Sequence, residues 1–171
     1  MQYCDYIRDV NAADSKLAKL LGFQKMLTSL DGISIVASPQ TIGTHENKVI
    51  LEGNCAYIMK HVNDRRVVGI IIDDFEADKN LIEHARHKEK ALIINAGKLT
   101  NSSDSYRARN IIRARELVKN ALHYKIKISI ASTARTANEV LSAGQLIEVA
   151  QMLGASQVQG KKMLTILGDL L

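Results

Sequence analysis

Short apolar runs that stop at a small or polar residue alternate with longer stretches of helical period along the whole chain. Three runs stand out: Val67 to Ile72 before Asp73, Ala91 to Ile94 before Asn95, and Ile126 to Ala131 before Ser132. Each ends at a polar residue, and their alternation with helical segments suggests β/α units and a parallel sheet. Tyr3 to Ile7, Ile33 to Ala37, Val49 to Leu51 and Tyr57 to Met59 are weaker strand candidates. Between them, Asp14 to Leu21, Glu76 to Lys88, Ser105 to His123 and Ser142 to Leu153 carry helical periodicity. Strands alternating with helices predict β/α units and hence an α/β fold. A parallel barrel is consistent with this, but 171 residues fall below the ~200 to 250 usual for eight units, so some units must be reduced or missing.

On a helical wheel, Ser105 to His123 gathers Ile111, Ala114, Leu117, Val118, Ala121 and Leu122 on one side and sets Arg109, Arg113, Glu116 and Asn120 opposite. The first face packs on a sheet and the second meets solvent or a ligand. Ser142 with Gln145 fits a capping box, Gly154 after Leu153 fits a helix end, and Thr136 with Glu139 fits a second capping box. Ser38 to Asn47, which holds the only proline, Pro39, and Thr100 to Ser105 read as surface loops. Neither has the character of a linker, so residues 1–171 are read as one domain.

Composition narrows the class. The apolar runs fall far short of the ~18 to 20 residues that span a bilayer, and the N-terminus lacks a basic-then-apolar leader. A cytoplasmic protein with no membrane partner is therefore expected, and Cys4 and Cys55, which lack C-x-x-C spacing, are expected to stay thiols. Net charge is +5, which favours polyanions. Its distribution says more: Lys98, Arg107, Arg109, Arg113, Arg115, Lys119, Lys125 and Lys127 crowd one thirty-residue stretch against Asp104 and Glu116 alone.

Signals for catalysis are missing. The histidines are His45, His61, His84, His87 and His123, with no H-x-H; His84 and His87 are three apart on a helix with Glu83, but the wheel puts Glu83 and His87 on the polar face. Asp5, Asp73 and Asp74 stand at strand ends, where barrel active sites lie, without ligating histidines beside them. No nucleophile elbow, P-loop or G-x-G-x-x-G occurs. No catalytic residue, metal site or cofactor is assigned.

A binding site is easier to place. If Asn95 ends a parallel strand, Lys98 and the serines 102, 103 and 105 sit at the carboxyl rim of the sheet beside a helix N-terminus. Backbone N–H groups there, with Arg107 and Arg109 in the first turn, form a candidate phosphate site. Arg113 extends it along the helix, and Arg135, after the next strand, joins the rim. With seven Phe and Tyr residues and no Trp, a stacking platform for bases is not expected, so phosphate and shape recognition should dominate.

The stretch from Arg66 to Gly154 resembles ribonuclease P protein component 3. The resemblance runs through VVGIIID, LIEHARHKEKALIINAGKLT, the basic helix from Arg107 to Val118, and KISIASTARTANEVLSAGQLIEVAQMLG. It implies a compact TIM-like (PHP-related) β/α barrel in an accessory, non-catalytic role. It implies as partners the ribonuclease P RNA and protein component 2 and, indirectly, the precursor tRNA whose 5′ end the RNA subunit matures. The chain departs from the family where an Arg-Ser-Pro run is expected: it has Leu141, Ser142 and Ala143. The rival readings are a stand-alone metal-dependent phosphoesterase of the related barrel superfamily and a structural barrel that binds no RNA.

Overall fold

The structure, a computed structural model, describes residues 3–8, 15–28, 31–36 and 48–170. The expected loop from Ser38 to Asn47 and His45 lie outside the described residues. Seven strands are seen: β1 (Cys4–Tyr6), β2 (Lys25–Leu27), β3 (Ile33–Val36), β4 (Lys48–Gly53), β5 (Val67–Ile72), β6 (Ala91–Asn95) and β7 (Ile128–Ala131). The helices are α1 (Ser15–Leu20), α2 (Cys55–His61), α3 (Lys79–His87), α4 (Ala96–Thr100), α5 (Asp104–His123), α6 (Ala143–Met152) and α7 (Gln157–Asp169), with a 3₁₀ turn at Ala137–Glu139. No helix among the described residues is long and apolar enough to cross a membrane.

Among the described residues all strand pairs are parallel: five strands form a sheet in the order β3-β4-β5-β6-β7, and β1 pairs with β2. The two pieces meet at the bridge between Ile7 and Ala134, where Arg8 N–H donates to the Ala134 carbonyl at 2.8 Å. No ladder joins β2 to β3 among the described residues, although the Tyr6 hydroxyl donates to the Ile33 carbonyl at 3.1 Å.

Because side chains alternate along a strand, the seven strands contribute to two separate cores. Cys4, Tyr6, Leu27, Ile33, Ile50, Ile71, Ile93 and Ala131 form an inner cluster to which every strand contributes. The alternate residues, Val49, Leu51, Ile70, Ile72, Leu92, Ile94, Ile128 and Ile130, pack outward with Leu81, Ala114, Leu117, Val118 and Leu146 of the helices. Helix α7 serves both, with Met163 and Leu164 in the outer core and Leu167 in the inner one. It covers the amino ends of the strands: the Met163 carbonyl accepts from Ser129 Oγ at 2.8 Å, the Leu170 carbonyl accepts from Lys48 Nζ at 2.6 Å, and Gly168 lies against Cys4 Sγ.

Local chemistry explains the departures from the sequence reading. Tyr57 to Met59 is helical because Asn54 caps α2, its side chain accepting from Tyr57 N–H at 2.9 Å. α3 starts later than expected because Asp78 is its cap, accepting from Leu81 N–H at 2.7 Å. Thr136 makes no side-chain cap; the Glu139 carboxylate accepts instead from Arg135 N–H at 2.8 Å, so only a 3₁₀ turn forms. Part of the loop expected from Thr100 belongs to α4, and both β2 and α7 were unforeseen. α7 opens with a full Ser156/Gln159 capping box.

The two-core arrangement gives a stability test. Ile71→Ala, at a side chain 1% exposed in the inner core, should lower unfolding free energy by about 2–5 kcal/mol. Ile112→Ala, at a position 70% exposed, should change it by no more than about 0.5 kcal/mol. Urea unfolding of both variants measures the contrast.

Candidate functional site

The inner apolar positions predict where polar side chains will converge. Two residues beyond Tyr6, Ile50, Ile71, Ile93 and Ala131 stand Arg8, Glu52, Asp73, Asn95 and Thr133. Glu52 and Asn95 lie within their strands and keep the inward direction of their predecessors, and the other three follow within two residues of a strand end. All five line one cleft of about 410 Å³ at the carboxyl ends of the strands, the end at which parallel α/β sheets bind their ligands. Lys98, Ser102, Arg135 and Glu139 complete its rim.

Its charges are largely matched. Arg8 and Glu52 form an ion pair at 2.5 Å, with side chains 23% and 11% exposed. Lys98 Nζ lies 3.6 Å from Asp73 Oδ1. Asn95 turns its side-chain oxygen to Lys98 N–H at 2.9 Å and so caps α4. That turn is tight: a Cβ on Gly97 would stand 2.5 Å from the Ser132 carbonyl. Thr133 has φ of 47°, a costly conformation for a β-branched residue and one typical of functional sites.

Beneath the rim, Asp5 is fully buried and joins β1 to the end of β7. Its carboxyl oxygens accept from Ser132 N–H at 2.8 Å and Tyr6 N–H at 2.9 Å, and its Oδ2 shares a short hydrogen bond with Ser132 Oγ. Burial pushes its pKa up to about 7 against the opposing pull of these hydrogen bonds.

The five basic residues proposed from sequence fall in different settings. Lys98 and Arg135 line the cleft, and the Arg135 guanidinium has no ion pair among the described residues. Lys98 also lines a second groove of about 390 Å³, shared with Arg109, Tyr106, Ser103 and Asp74, which continues the cleft along α5. Arg107 bends back to donate to the Ser102 carbonyl at 2.9 Å and lies 3.5 Å from Asp104. Arg113 pairs with Glu76 at 2.7 Å and lies 4.0 Å from Asp74, so it is engaged by carboxylates beyond its own helix. Ser103 sits at the N-cap of α5 without a side-chain capping bond, which leaves first-turn amides for water or an anion. The Arg8–Glu52 pair was missed because its partners lie 44 residues apart. The apolar-x-polar step repeated at five strand ends was the available signal.

Among the described residues, no group of three or more His, Cys, Asp or Glu side chains is placed to hold a metal ion. In the cleft, cations already occupy the space beside Glu52 and Asp73, an arrangement opposed to metal ligation.

No family model matches the chain, and no curated protein sequence matches it. A chain of an archaeal ribonuclease P, solved by cryo-EM with mature tRNA, superposes with a TM-score of 0.69 at 16% identity, over 98% of this chain and 79% of its own length. At that identity the likeness is one of fold. The ochratoxinase of A. niger superposes with a TM-score of 0.53 at 13% identity, over 73% of this chain and 30% of the enzyme.

The buried carboxyl yields a pH prediction. Because the folded pKa of Asp5 lies above its unfolded value, the unfolded state releases this proton first as pH rises. The group's stabilising contribution is complete below about pH 4, declines toward pH 7 and then levels off. The full change is on the order of 4 kcal/mol. Asp5→Asn keeps an acceptor for both amides and a donor for Ser132, and should flatten that slope in urea titrations between pH 4 and 7.

Proposed function

We propose that this chain is the component 3 protein of an archaeal-type ribonuclease P, a non-catalytic subunit that binds the ribonuclease P RNA and protein component 2. In this reading the seven strands are a reduced TIM-like barrel, left open between β2 and β3. The observation that carries the proposal is the likeness in fold, over 98% of this chain, to a chain of an archaeal ribonuclease P. It coincides with the resemblance read independently along Arg66 to Gly154. The cleft supports a binding role, since its carboxylates are matched by Arg8 and Lys98. A metal-dependent phosphoesterase would need those carboxylates free to ligate.

RNA phosphates are assigned to Lys98 and Arg135 at the rim, while Arg109 lies over the Tyr106 ring in the groove along α5. Arg107 and Arg113, held by Ser102 and Glu76, orient this surface more than they contact a ligand. Precursor tRNA is reached through the assembled enzyme. RNA recovered with the tagged protein from its native cells should be dominated by ribonuclease P RNA. Light scattering of the protein mixed with component 2 should show a joint species.

The salt dependence of RNA binding, measured with component 2 present, separates phosphate contacts from solvated charge. Lys98→Ala combined with Arg135→Ala should reduce the slope of log affinity against log salt by roughly 1.4 to 1.8, at ~0.7 to 0.9 per phosphate. Arg113→Ala should leave the slope unchanged, because Glu76 already occupies that guanidinium. An unchanged slope in the double variant would remove the rim from the RNA interface.

A further inference from the structure

The groove along α5 contains a feature that phosphate recognition alone does not use. Tyr106 is 58% exposed, an unusual position for an aromatic ring in a chain with so few. The Arg109 guanidinium carbon lies 5.1 Å from the centroid of its ring. Arg109 and Tyr106 are three residues apart on one helix face, so the contact is set locally by helix geometry. An arginine over a tyrosine face is a cation–π pair. Such a pair also offers a flat, weakly hydrated surface to a third planar group.

Charge fixes how a nucleotide would lie there. Asp73 and Asp74 line the same groove and repel a phosphate, but a carboxylate accepts readily from the N–H groups of a base edge. Lys98 stands between this groove and the cleft, and Arg135 lies beyond it on the cleft rim. A chain with its base at Tyr106 therefore finds its cations on the cleft side. A base paired within a duplex is stacked on both faces and cannot reach a tyrosine in a groove.

We infer that Tyr106, with Arg109, is a stacking station for an unpaired nucleotide of RNA, whose backbone then runs past Lys98 toward Arg135. This rests on the RNA-binding reading above and specifies the form of RNA that the site takes. It goes beyond the expectation that phosphate and shape recognition dominate, and it rests on one exposed ring in a groove lined by both carboxylates and cations.

The test uses the full chain, a fluorescein-labelled ten-nucleotide single-stranded RNA of mixed sequence, and the same strand annealed to its complement. Anisotropy titrations should show tighter binding of the single strand. Tyr106→Ala should weaken that binding by roughly 5- to 100-fold without altering the salt slope, because stacking releases no counterions. Tyr106→Phe should bind as the parent does, since the ring face is retained. Circular dichroism verifies that both variants fold. If Tyr106→Ala binds the single strand like the parent while Lys98→Ala with Arg135→Ala weakens it, the stacking station is overturned and the RNA-binding reading stands. If neither RNA form binds, with or without component 2, both fall together.

Discussion

A single buried carboxyl group ties the two pieces of the sheet together. β1 and β2 make a short parallel pair, and the five remaining strands make another sheet. Asp5 reaches from the first to the end of the second, accepting hydrogen bonds from Ser132 at both its backbone and its hydroxyl. A buried carboxylate left without donors is strongly disfavoured, so this group holds Ser132 in place as firmly as Ser132 holds it. The Ile7–Ala134 bridge and the turn at Thr133 lie beside that junction. Arg8, three residues beyond Asp5, thereby comes within reach of Glu52, and the cleft acquires its polar lining.

Much of the framework was legible from hydrophobic pattern because the central strands are covered on both faces. Val67–Ile72 falls where the apolar run lies, and Ala91–Asn95 and Ile128–Ala131 differ from theirs by one or two residues. The long helix was equally plain, since Ala114, Leu117, Val118 and Ala121 recur at its buried face. Short elements were not legible in this way. In Cys55–His61, three consecutive apolar or aromatic residues imitate a strand, and the deciding feature is one capping bond from Asn54. β2 has three residues, too few for any period to register.

The site was legible in its location and not in its wiring. Asn95, Lys98 and Ser102 line the cleft at the carboxyl ends of the strands, where the strand-end argument places them. Which cations remain available could not be read from spacing, because their partners come from other elements: Glu76 meets Arg113, and Asp73 meets Lys98. Sequence counts those arginines and lysines as equal. Geometry sorts them: Arg107 and Arg113 brace the surface, whereas Lys98, only loosely beside Asp73 at 3.6 Å, remains open to a ligand with Arg109 and Arg135.

Helix α7 has a consequence for how the chain is made. Its Leu167 completes the inner core, and its Gly168 rests on Cys4 of the first strand. Asp5 likewise waits for a serine 127 positions later. β1 has a near neighbour in β2, but its contacts with Ser132 and with α7 form only after most of the described residues have been made. Contacts so distant in sequence slow folding, since long loops must close before they contribute. During synthesis, β3 to β6 can assemble on the emerging helices while the β1–β2 pair remains undocked from them, and the inner core is sealed only after Leu167 has been made.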